Sequence, residues 1–150
     1  MPRFVFNLQP LLEARKLAGE AAQRRVAEIQ RERLQLEEML RRHQRGITHG
    51  KQVWREELLG RIDLDALRLG ANASLHLQRK AQQIVLTLAG VHSRLQTARA
   101  RLIEATKRRR AIELLRDRRF EQFKAALAKA ETAALDELAV NRFAREEIVG

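Results

Sequence analysis

Cysteine and tyrosine are absent from the 150-residue sequence, proline occurs twice, and aromatic residues make up only 4% of it. Without cysteine there is no disulfide framework and no thiolate chemistry, which fits a reducing compartment. Long apolar runs are missing as well. No stretch approaches the roughly 18 consecutive apolar residues that a membrane span requires. The start, MPRFVFNLQP, holds too short an apolar run for a secretory signal, so the expected location is the cytoplasm.

The common catalytic signatures are missing too: there is no Gly-rich phosphate loop, no HExxH and no GxSxG. The histidines His43, His49, His76 and His92 are scattered. His49 and His76 can approach each other only near a chain reversal, and without cysteine or a clear carboxylate partner they read as solvated side chains rather than metal ligands. No cofactor and no metal is expected. A thin pair of helices also lacks the concave pocket in which pKa values are shifted and water is excluded, so an enzyme is not expected.

What is present is charge and helix-forming side chains. Thirty Lys and Arg stand against nineteen Asp and Glu, for a net charge of +11. Ala, Leu, Glu, Arg and Gln dominate, and all lose little side-chain freedom in a helix. Steps of four and three from Leu8 meet Leu12, Arg15, Gly19, Ala22, Val26, Ile29, Arg33, Leu36, Leu40, His43 and Ile47. That average step of about 3.5 residues is the seam of a coiled coil, with Arg15, Gly19, Arg33 and His43 as flaws in it. Pro10 suits the first turn of such a helix if Asn7 caps it, since the missing N–H costs nothing there.

The pattern weakens after Trp54, Leu58 and Leu59. Residues 60–63, GRID, then supply a Gly stop and an Asp able to cap a second helix. From Leu67 the same steps meet Gly70, Ser74, Leu77, Ala81, Ile84, Leu88, Val91, Leu95, Ala98, Leu102 and Ala105. The seam then crosses Arg109, Ile112, Arg116 and Arg119, and recovers at Phe123, Leu127, Ala130, Ala134 and Leu138. The segment 70-GANAS-74 is the expected place for a break or a delayed helix start. The expectation is therefore one coiled-coil domain over 1–150: helix one over about 8–59, a corner within 60–74, and helix two over about 64–148.

Two helices joined by a short corner fold back antiparallel to bury both stripes. The predicted fold is all-α, an antiparallel two-helix coiled-coil hairpin with unequal helices. Helix one of roughly 75 Å and helix two of roughly 115 Å leave the second overhanging at the end that bears the termini. Such an overhang, carrying an Ala/Leu/Phe stripe, asks for another protein. At the corner, Trp54, Leu58, Leu59, Leu64, Leu67, Leu69, Leu75 and Leu77 crowd a surface too thin to bury them all, and apolar clusters of that kind mark partner sites.

Charge is sorted along the chain. Residues 76–119 carry twelve bases and three acids, a net of +9, whereas 120–150 carry four bases and six acids, a net of −2. The densest stretch, 107-KRRRAIELLRDRR-119, has seven bases in thirteen residues. Phosphate binding needs little more than such bases, so nucleic acid is a reading to weigh. Glu113 and Asp117 weaken it, because they stand at helical spacing from Arg109, Arg110 and Arg116. A basic-region zipper would also need a long Leu-rich tract afterwards, and 120–138 is short and Ala-rich. Successive residues turn about 100°, so Arg108, Arg109 and Arg110 cannot share one solvated stripe; at least one turns toward helix one, where Glu13 and Glu20 are expected neighbours.

Two stretches resemble the flagellar FliJ family. The start 4-FVFNLQPLLEAR-15 is similar to its N-terminal signature, an aromatic-rich segment followed by LQ, Leu and Arg. The stretch 102-LIEATKRRRAIELLRDRRFEQF-123, followed by 135-LDELAVNRFARE-146, is similar to its basic block and terminal acidic-apolar segment. The resemblance covers nearly the whole length. It implies an antiparallel coiled coil shaped like the central stalk of rotary ATP synthases, acting in flagellar type III protein export at the cytoplasmic face of the inner membrane. It implies a soluble coupling component that docks into the hexameric export ATPase, contacts the membrane export gate protein and interacts with export chaperones, and that is a folded monomer when free. Carried onto this chain, Lys107, Arg108, Arg109, Arg110, Arg116, Arg118 and Arg119 become candidates for docking on the ATPase ring, with Phe120, Phe123 and Leu127 entering it. Trp54, Leu75 and Leu77 become candidates for the gate. The rival expectations are a basic coiled-coil nucleic-acid-binding protein and a generic adaptor coiled coil.

Overall fold

The computed structural model describes residues 2–149. It is all-α, with two helices packed against each other: α1, Gln9–Glu57, of 49 residues, and α2, Leu64–Val149, of 86 residues. No strand occurs among the described residues. The helix α1 opens on a turn closed by the Gln9 N–H donating to the Phe6 carbonyl at 3.1 Å, rather than on an Asn7 side-chain cap. Pro10 sits in its first turn, where a missing N–H is tolerated.

The reversal between the helices is built by two residues. Gly60 takes a φ of 95°, a left-handed conformation that glycine adopts without steric cost. Asp63 then caps α2: its Oδ1 accepts from the N–H groups of Asp65 at 3.0 Å and Ala66 at 3.3 Å, and its carbonyl accepts from Leu67 at 3.0 Å. With the helix nucleated there, 70-GANAS-74 continues as regular helix rather than breaking it. The glycine in that segment costs about 1 kcal/mol of helix propensity, and the helix runs through it nonetheless.

The chain divides into two compact units, Met1–Gly19 with Ala105–Gly150, and Glu20–Glu104. In the second of these, α1 and α2 run antiparallel: Glu32 pairs with Arg94, Gly46 abuts Leu77, and Trp54 abuts Gly70. Its core is Val26, Ile29, Val91, Leu95 and Ala98, with Leu36 and Leu102 packed against them. In the first unit Leu12 is 1% exposed and Phe6 is buried beside it in sequence, while the α2 side offers half-buried Ile112, Leu115 and Phe123. The chain is antiparallel here too, since Phe4 meets Phe120 and Phe123 while Phe6 lies beneath Arg119.

Burial follows the 3.5-residue spacing. Every seam position from Leu8, just before α1, to Ile47 is buried or half-buried, as is every one of α2 from Leu67 to Ala105 except Gly70. Charged seam positions are handled locally. Arg33 and Arg109 have buried Nε atoms without a hydrogen bond, and the carboxylates of Glu37 and Glu113, 3.6 and 3.5 Å away, supply the compensating charge.

Candidate docking surfaces

The first surface lies in the unit that holds both chain ends. Seven basic side chains of 107–119 meet three different fates. Arg109 and Arg110 both turn to Glu113 on their own helix, at 3.5 Å each, and Arg109 is half-buried. Arg108 is engaged and exposed. Arg119 lays its guanidinium 5.6 Å from the Phe6 ring centre, a cation–π contact. Lys107, Arg116 and Arg118 are exposed and have no ion-pair partner among the described residues.

The bracing expected from helix one takes another form. Glu13 accepts a hydrogen bond from Gln9 at 3.5 Å instead of reaching a base, and Glu20 belongs to the other unit. The physical reason is proximity: Glu113 stands one turn from Arg109 and Arg110, and an i,i+3 or i,i+4 pair forms without bridging two helices.

Phe120 and Phe123 join Phe4, with ring centroids 5.2 and 5.5 Å apart and edge-to-face or tilted geometry. Lys124 covers the outer face of Phe120 at 5.0 Å and pairs with Glu121 at 2.9 Å. Leu127 is half-buried, and from Ala128 to Val149 every residue is exposed. This last stretch presents Leu135, Leu138, Val140, Phe143, Ile148 and Val149 to solvent. Phe4 is the residue the sequence reading did not place in this site. Its signal was composition, since four of the chain's five phenylalanines gather here.

The second surface lies in the Glu20–Glu104 unit, beside the reversal. Trp54 is 41% exposed and forms one wall of an open cleft of about 210 Å³ with Gly50, Lys51, Gly70, Ala71 and Ser74. Small residues at Gly50, Gly70, Ala71 and Ser74 leave that space because they carry little or no side chain. Leu75 is 51% exposed, whereas Leu77 is half-buried against Gly46, where an added Cβ would stand 3.3 Å from Leu77 Cδ1. Leu58, Leu59, Ile62, Leu64 and Leu69 are exposed around the reversal, as crowding on a two-helix scaffold requires.

Elsewhere the same unit shows how the helices are held in register. Arg94 Nη2 donates to Glu32 Oε1 at 2.8 Å across the seam. That hydrogen bond, and then the Arg94 charge, hold the Glu32 carboxyl below its ordinary value, and Arg94 is raised in return. Two histidines are tied to neighbours one turn away: His43 Nδ1 donates to the Met39 carbonyl at 2.7 Å, and Gln96 Nε2 donates to His92 Nε2 at 3.2 Å. Among the described residues no group of three His, Asp or Glu side chains is placed to hold a metal ion. No helix among them is long and apolar enough to cross a membrane.

In each unit the two helices pair antiparallel, with polar and apolar features on open surfaces, which defines a protein of the helical coiled-coil class. The sequence model of the family described as flagellar FliJ protein matches residues 4–147, nearly the whole chain. The chain belongs to that family, and is thereby a component of the flagellar export apparatus. No curated protein and no solved structure matches it.

Proposed function

We propose that this chain is the coupling stalk of flagellar protein export, with one docking surface in each of its two units. The observation that carries the proposal is the uncovered tail of α2 behind a basic band: 128–149 is exposed throughout, while Lys107, Arg116 and Arg118 have no ion-pair partner among the described residues. A surface of that kind fits a ring with an acidic rim and an apolar bore. The bases, including Arg108, Arg109, Arg110 and Arg119, steer approach, and Phe120, Phe123 and Leu127 enter. Charge steering of this sort raises association rates by roughly 10- to 1,000-fold and weakens with salt. The stalk itself performs no chemistry; it promotes assembly or turnover of the hexameric export ATPase.

The Trp54 cleft and Leu75 serve the second contact, with the membrane export gate protein, and Leu77 sets their spacing by packing on Gly46. The chain then works at the cytoplasmic face of the inner membrane, held there by protein contacts. Export chaperones are further partners of the same component. A nucleic-acid role is disfavoured because Glu113 occupies two of the central guanidinium groups.

The test is to replace Arg108, Arg109 and Arg110 by Glu and measure stimulation of the purified export ATPase. The proposal expects stimulation to fall at least about tenfold at physiological salt. Unchanged stimulation would sink the docking role of the basic band.

A further inference from the structure

The exposed tail of α2 has a symmetry of its own. Glu131 lies seven residues before Leu138 and Arg145 seven after it, while Leu127 lies eleven before and Val149 eleven after. Seven and eleven residues are close to two and three helical turns, so all five fall within about 20° of one line along the helix. Leu127 is half-buried and the other four are exposed, with Leu138 at 65%. Neither Glu131 nor Arg145 makes an ion pair among the described residues, although their neighbours Lys124 with Glu121 and Arg142 with Glu146 do.

From this stripe we propose that the tail docks a second copy of the same tail, antiparallel, with the two Leu138 side chains meeting at the twofold axis. In that register Glu131 faces Arg145 of the second copy, and the symmetry repeats the pair on the other side. Leu127 faces Val149 in the same way, and Ala134 faces Arg142, leaving room for the Arg142 stem to lie along the interface. A parallel pair is disfavoured by the same residues, since it sets Glu131 against Glu131 and Arg145 against Arg145.

The contact is an a/d-type seam of about three heptads, with an apolar residue at its centre and at both ends and ion pairs between. Over 23 residues it extends about 34 Å, and its buried area falls below about 1,200 Å², the class of weak and transient associations. The free protein is therefore a monomer at dilution, as the sequence suggests, and pairs as concentration rises. This inference does not rest on ring docking. If both hold, Leu127 cannot serve both contacts at once, and self-pairing competes with insertion.

The experiment is sedimentation equilibrium of the full chain over a concentration series to about 1 mM, repeated with Glu131→Arg, Arg145→Glu and the double exchange. Each single change creates two like-charge contacts per pair of copies and is expected to weaken association at least about tenfold. The double exchange recreates both ion pairs with reversed sign and restores the wild-type dissociation constant. Disulfide trapping reads the direction, helped by the absence of native cysteine. Leu138→Cys is expected to cross-link readily, while Glu131→Cys, offset from its twin by about 21 Å, is not. A wild-type chain that stays monomeric throughout overturns the proposal and leaves the stripe to another partner. Association unaffected by either single change, or equal trapping at both positions, overturns it as well.

Discussion

Replacing Leu95 by Ala removes the side chain on which the Glu20–Glu104 unit closes. Leu95 is 0% exposed and packs in one cluster with Val26, Ile29, Val91 and Ala98. Three carbons are lost, worth about 0.8 kcal/mol each as transfer free energy, or about 2.4 kcal/mol in all. A cavity term adds to this in a thick core, up to about 5 kcal/mol in total. Here only two helices flank the site, and they can close or admit water, so the expected loss stays near about 2–3 kcal/mol. With a urea dependence of about 1.5 kcal/mol per molar for a unit of this size, the midpoint falls by roughly 1.5–2 M. Trp54, the chain's single tryptophan, belongs to the same unit, so its fluorescence follows the relevant transition. Leu138→Ala, at an exposed position, is the control and changes stability by less than about 0.5 kcal/mol. If Leu95→Ala cost no more than that control, the seam described above would not be where burial stabilises the fold.

Gly70→Ala is expected to stabilise the same unit by about 0.5–1 kcal/mol in urea titration, because the new Cβ meets Trp54 Cδ1 at an ordinary 3.5 Å and the helix gains a better former. Acid sensitivity follows from Glu32. Its folded carboxyl is held below the ordinary value, so its contribution is fully present above the unfolded pKa and disappears as pH falls through the folded one. Arg94→Gln should flatten that part of the stability curve in acid titrations followed by circular dichroism. Trp54→Ala with Leu75→Ala is expected to weaken binding to the export gate protein with helicity unchanged, and a collapse of the helical signal would make both residues core instead.

Much of the fold can be read from spacing alone, because a two-helix seam is a nearly one-dimensional pattern. Leu12, Val26, Ile29, Val91 and Leu95 repeat in steps of three and four, and they are buried for that reason. Asp63 was legible as a cap because Asp tolerates the non-helical backbone there and reaches forward N–H groups. The segment 70–74 misled because glycine signals a break only when nothing holds the helix on either side. At the candidate docking surfaces the sequence shows contacts one helical turn apart but not those between the two helices. Helical spacing already marked Glu113 as a partner for Arg109 and Arg110, and it pairs with both, whereas Phe4 is silent until the chain brings it to Phe120 and Phe123. Leu77 falls on the seam spacing and leans on Gly46, whereas Leu75 stands off that spacing and is exposed.

Site-specific photocross-linking in cells tests most directly the proposal that the two units carry different partners. A photoreactive side chain at Leu127 is expected to capture the export ATPase, and one at Leu75 the export gate protein. Capture in the reverse assignment, or of the same protein from both positions, would contradict it.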